Sequence, residues 1–108
     1  MANKYRNEVE VNLDGGKYTL RPTFNALAEI EDHFNTSLFK VIEMVTRGEL
    51  RLKDAFFILE CGIKASGSTF ERDQLEYHIS QAGNNNVLIA IGTFLTAATL
   101  SGDSIKKN

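Results

Sequence analysis

The stretch from Glu8 to Leu20 constrains this chain most. Glu8-Val9-Glu10-Val11-Asn12-Leu13 alternates polar and apolar residues with period two, and Lys17-Tyr18-Thr19-Leu20 does so again after Asp14-Gly15-Gly16. This is the pattern of a β-hairpin, and parity limits its turn. A two-residue loop, either Asp14-Gly15 or Gly15-Gly16, keeps Val9, Val11 and Leu13 on the same face as Tyr18 and Leu20, whereas a three-residue loop sets Leu13 opposite Lys17. Pro22 has no N–H to give to a ladder and ends the second strand. A lone two-stranded hairpin is marginal in water, so its apolar face has to lie on the rest of the chain.

Everything after Pro22 reads as helix. Thr23 stands at an N-cap, with Phe24, Leu27, Ile30 and Phe34 following at helical spacing. Asn35-Thr36-Ser37 supplies a stop and a new cap. Leu38, Val41, Ile42 and Val45 then form the stripe of a second helix, which ends at Gly48. Leu52, Ala55, Phe56, Leu59 and Ile63 mark a third, closing near Gly67. Ser68 with Glu71 has the form of a capping box, which starts a fourth helix at Thr69 with Phe70, Leu75 and Ile79 inward and a stop at Gly83. The last helix opens at Asn84-Asn85-Asn86 and puts Val87, Leu88, Ile91, Phe94, Leu95 and Ala98 on one broad face. The expected fold is α+β: an N-terminal β-hairpin packed on a body of about five α-helices.

The 108 residues suit one domain, since two cores of half that size would each fail to offset their ordering entropy. Residues 1–6 and 101–108 read as mobile tails. Apolar residues at 43% and charged ones at 24% are ordinary globular usage. Twelve basic against fourteen acidic residues provide no field to hold a polyanion. The helix after Ser68 carries Glu71, Asp73 and Glu76 against Arg72, the wrong sign for a DNA-recognition helix. Nucleic acid is therefore excluded as a partner. The apolar run from Val87 to Leu100 is shorter than the ~20 residues a bilayer needs and is interrupted by Gly92, Thr93, Thr96 and Thr99. A core helix fits it better than a membrane span. The polar N-terminus lacks the apolar segment of a signal peptide, which points to the cytoplasm.

Catalytic machinery is not visible. His33 and His78 are separate and belong to no metal-binding spacing. Glu29 and His33, four residues apart, read as a solvated surface pair. Gly15-Gly16-Lys17 joins two antiparallel strands, whereas a phosphate loop leads from a strand into a helix N-terminus. The single cysteine, Cys61, lies inside the third helix and reads as a buried, inert thiol; its pairing with His33 or His78 is the one nucleophile-and-base combination left open. No catalytic, cofactor-binding or metal-binding residue is assigned, and no cofactor is expected. What remains is apolar surface in excess of the stripes. Phe57 and Ile58 project away from the Leu52, Phe56, Leu59 seam at roughly 100° per residue. Either the third helix is central and buried all round, or Phe57 and Ile58 form a partner-binding patch to which Phe39 and Met44 contribute.

Arg6-Asn7-Glu8-Val9 leading into the hairpin, Leu20-Arg21-Pro22-Thr23-Phe24 followed by Ala26-Leu27 and Ile30-Glu31, Ser37-Leu38, and the segment Asp54 to Ile58 with Leu59, Gly62, Ile63 and Gly67 resemble the tail assembly chaperones of tailed phages and gene transfer agents. The likeness covers most of the chain, and the Leu-Arg-Pro-Thr-Phe run with its Ile-Glu continuation is its most specific part. It implies a non-structural helper in the bacterial host cytoplasm that binds the tape-measure protein during tail morphogenesis, with the tail-tube protein as a second candidate partner. Assembly with further copies of itself stays open. The alternatives are a structural tail-tube or adaptor component, or a general protein-interaction module.

Overall fold

The computed structural model of the protein describes residues 8–106, with side chains through residue 99. Two strands, β1 (Val9–Leu13) and β2 (Gly16–Leu20), precede five helices: α1 (Phe24–Phe34), α2 (Leu38–Thr46), α3 (Leu52–Ala65), α4 (Arg72–Ala82) and α5 (Asn84–Lys106). The fold is α+β, an N-terminal hairpin followed by five helices.

The strands pair antiparallel with Val9 opposite Leu20, Val11 opposite Tyr18 and Leu13 opposite Gly16. Of the two loops that parity allows, the chain uses Asp14-Gly15. Both residues take positive φ, 54° and 90°, as a type I′ turn demands, and the Gly15 N–H donates to Asn12 Oδ1 at 2.8 Å. Val11, Leu13 and Leu20 are buried, and Val9 and Tyr18 pack at their margin.

Helix ends follow local chemistry where the chain offers it. Thr23 Oγ1 accepts from the Ala26 N–H at 3.1 Å and starts α1. Asn35, left-handed at φ 54°, ends it, and Ser37 Oγ accepts from the Lys40 N–H to start α2. The fourth helix departs from expectation. Ser68 does not cap it; the Ser66 hydroxyl donates to Ile63 O at 2.7 Å, and Ser68 is tied to the Ser66 hydroxyl. Phe70 meets the Phe56 ring edge-on, and α4 begins only at Arg72. Helix α5 continues to Lys106, over part of the stretch read as a tail; the tail call on residues 1–6 and 107–108 lies outside the described residues.

The core is continuous, and α3 runs through it. The described part of α5 buries Val87, Ala90, Ile91, Phe94, Leu95 and Ala98, while α3 packs against β2, α1, α4 and α5. Gly62 of α3 sits where three elements meet. Its carbonyl accepts the Arg21 N–H at 3.0 Å just past the end of β2, and Leu20 and Phe94 close over it. The Tyr18 hydroxyl shares a 2.6 Å hydrogen bond with His78 Nδ1, joining the hairpin to α4. Two stripe assignments fail: Phe24 is 85% exposed and Leu52 is 71% exposed. Both occupy the first position of their helix, where the side chain overhangs the end of the packed body instead of entering it.

Candidate functional site: an apolar cleft between α3, α4 and α5

The first half of α3, the face of α4 and the start of α5 enclose an open cleft of about 540 Å³. Its walls follow from helical spacing. Leu52, Phe56 and Glu60 recur every four residues along α3, Arg72, Glu76 and Ile79 line α4, and Val87 enters from α5. The cleft is apolar inside and charged at its rim. The Arg72 guanidinium lies 4.5 Å from the centroid of the Phe56 ring and reaches Glu76 at 3.5 Å and Glu60 at 4.0 Å, while Glu60 also holds Lys64 at 3.3 Å.

A second assembly fixes the far wall. Asp54, 5% exposed, is the one buried charged residue among those described. His33 Nε2 donates to its Oδ1 at 2.9 Å, and Arg51 donates to Oδ2 from its backbone N–H at 3.4 Å and from Nε at 3.3 Å. Burial pushes the carboxyl upward, but the hydrogen bonds from the His33 and Arg51 side chains, then the Arg51 backbone bond and charge, outweigh it and hold Asp54 below the ordinary carboxylate range. The His33 ring, so anchored, stacks on Phe57 with centroids 4.2 Å apart and planes 12° off parallel. His33 therefore pairs across to α3 and not with Glu29, as its spacing on α1 suggested. Glu29 instead accepts from Cys61 Sγ at 3.6 Å. Burial, reinforced by the Glu29 charge, pushes the Cys61 thiol up to about 12, so the thiolate needed for nucleophilic attack is not populated at neutral pH. With His33 on Asp54 and His78 on Tyr18, neither histidine serves as the base for Cys61.

The three residues singled out as a partner patch are not brought together. Phe39, on the first turn of α2, is 66% exposed but does not line the cleft. Phe57 is half-buried at the cleft wall beneath His33. Ile58 is fully buried. It points away from the Phe56 seam as its angle required, but α3 has neighbours on nearly every side, so that direction also leads into the core. Met44 is half-buried on α2. Sequence reasoning missed Leu52, Arg72 and Ile79 as parts of one surface. The four-residue spacing of Leu52, Phe56 and Glu60 was the available signal, but nothing local tells that α4 stands across from them.

Among the described residues no group of His, Cys, Asp or Glu is arranged to hold a metal ion, and no helix is long and apolar enough to cross a membrane. The cleft offers apolar surface, aromatic rings and fixed charges, which is the chemistry of recognition. A family model described as "Phage tail tube protein, GTA-gp10" matches residues 6–102. Nothing among curated proteins or solved structures matches the chain. The family match agrees with the phage and gene transfer agent likeness of the Leu20-to-Phe24 run, and its description is that of a tube protein, not of a chaperone.

Proposed function

We propose that this chain, which belongs to the phage tail tube family GTA-gp10, serves as a structural component of a phage-type tail and acts by contact with other tail proteins, without catalysis. The observation that carries this reading is the match over nearly the whole chain. The cleft lends it a surface: Leu52 and Phe57 beside a rim of fixed charges suit a partner whose apolar side chains enter between α3 and α4. Assembly would take place in the cytoplasm of the host cell.

A second reading, an assembly chaperone that shields a tape-measure protein until the tube surrounds it, is favoured by one feature of the fold. The described residues contain a single two-stranded sheet, little β-structure for a subunit that must build a stacked tube wall. An open apolar cleft suits reversible shielding of an exposed stripe. Quantitative mass spectrometry of purified particles against whole lysate separates the two. Many copies per particle, retained through purification, support the structural role. Abundance in the lysate with loss from finished particles supports the chaperone.

A further inference from the structure

We propose that the cleft selects its occupant by charge as well as by shape, taking an amphipathic helix of another tail protein whose apolar face is flanked by carboxylates. The inference rests on the tail reading above and deepens it by stating the chemistry of the segment that the cleft accepts.

The backbone of the cleft decides that the occupant is helical. Its walls are the helices α3, α4 and α5, whose interior N–H and C=O groups are spent on their own turns, so no sheet edge is offered to an extended chain. An extended segment lowered between them would bury backbone groups without partners, whereas a helix arrives with its own already paired. The length of the wall sets the spacing. Leu52, Phe56 and Glu60 stand on successive turns of α3 and cover about 12 Å along its axis. Two turns of a partner helix, with apolar side chains at i, i+4 and i+7, match that length.

Charge is distributed unevenly along this wall. At the Glu60 end it is balanced: Arg72 reaches both Glu60 and Glu76, and Glu60 also holds Lys64. At the Leu52 end it is not. Lys53 lines the cleft and makes no ion pair among the described residues. Of the acids near it in sequence, Asp54 is taken by His33 and Arg51, and Glu49 neither lines the cleft nor pairs with Lys53. Leu52, 71% exposed, is thus an apolar anchor set between two cations, of which Lys53 is unpaired. A carboxylate just beyond the apolar residues of an arriving helix meets Lys53 there, and a cation in the same place is repelled.

Fluorescence anisotropy with two labelled synthetic peptides of about 16 residues tests this. Both carry Leu at i, i+4 and i+7 of an Ala-rich and Gln-rich helix, and they differ only in their flanking residues, Glu in one and Lys in the other. The chain as a whole has a net charge of −2, so its overall field favours the Lys peptide, and a preference for the Glu peptide has to arise locally. Wild type should bind the Glu peptide about tenfold more tightly at low salt, and the gap should close near about 0.5 M salt. Lys53→Glu should invert the preference, and Leu52→Ser should weaken both peptides; both side chains are exposed, so neither change disturbs the core. Amide NMR of the wild type should show the Glu peptide shifting Leu52, Lys53 and Phe57. Binding of neither peptide, equal binding of both, a preference indifferent to Lys53→Glu, or shifts confined to Ile89 and Thr93 on the outer face of α5 would overturn the proposal. The tail role is read from particle composition and stands or fails separately, because no peptide enters that measurement.

Discussion

Alanine at Gly62 and alanine at Gly92 are chemically the same change in two helices, and the structure assigns them opposite signs. Replacing a helical glycine by alanine stabilises by about 1 kcal/mol when there is room, because the unfolded chain loses freedom and the helix gains a better former. At Gly92 a Cβ would lie 3.9 Å from Val45 Cγ1, an ordinary contact. At Gly62 it would lie 2.9 Å from Leu20 Cδ2, 3.0 Å from Leu20 Cβ and 3.0 Å from Phe94 Cζ. Leu20 and Phe94 are fully buried and have no open side to retreat to. Overpacking of this kind costs about 1–3 kcal/mol, and three close contacts at once place Gly62 near the upper end. Subtracting the helix gain leaves a loss of roughly 2 kcal/mol for Gly62→Ala against a gain of about 1 kcal/mol for Gly92→Ala. For a domain of this size those figures correspond to a melting temperature roughly 10 °C lower and about 5 °C higher. Thermal melts followed by far-UV circular dichroism, with urea midpoints as a check, read both. Equal effects of either sign, or a Gly62→Ala protein as stable as wild type, would refute the close approach of β2, α3 and α5.

Thr23→Ala should destabilise by about 1 kcal/mol, because the Ala26 N–H loses its acceptor at the start of α1; an unchanged urea midpoint would move the helix boundary. Asp54 titrates lower folded than unfolded, so its contribution is present above the unfolded value of about 3.9 and is lost as pH falls through the folded one. Asp54→Asn should therefore show a shallower fall of melting temperature than wild type below about pH 4, and parallel curves would contradict the role given to His33 and Arg51. Cys61, buried with its thiol pushed up to about 12, should react slowly with a thiol reagent at neutral pH and rapidly once urea unfolds the chain. A fast reaction in the native protein would place it at the surface.

The parts of the fold legible in the sequence are those fixed by neighbours in the chain. Alternation between Val9 and Leu20 set the faces of the hairpin and limited its turn to two residues, Asp14-Gly15 or Gly15-Gly16, because both depend on a few consecutive residues; parity alone does not choose between these two loops. Thr23, Asn35 and Ser37 were legible as helix boundaries for the same reason. The start of α4 was not. Ser68 and Glu71 have the spacing of a capping box, but the Ser66 hydroxyl ties up Ser68, and Phe70 is drawn to Phe56 before helical geometry sets in. The site was legible only in fragments. Phe57 reached the cleft, whereas Ile58, chosen by the same angular argument, is buried, since periodicity gives a direction but not what lies there. The His33–Asp54 bond spans 21 residues and joins α1 to α3, a pairing that exists only once both helices have packed. Its one local trace is an acidic residue in the first turn of α3.

The central claim is that this chain works in building a tail. Deleting its gene from a host that produces the particles, and counting heads with and without tails by electron microscopy, tests that claim most directly. Heads without tails, with tails restored when the wild-type gene is supplied from a plasmid, are the expected result under either a structural or a chaperone role. Tails of normal number and length in the deletion strain would contradict the account.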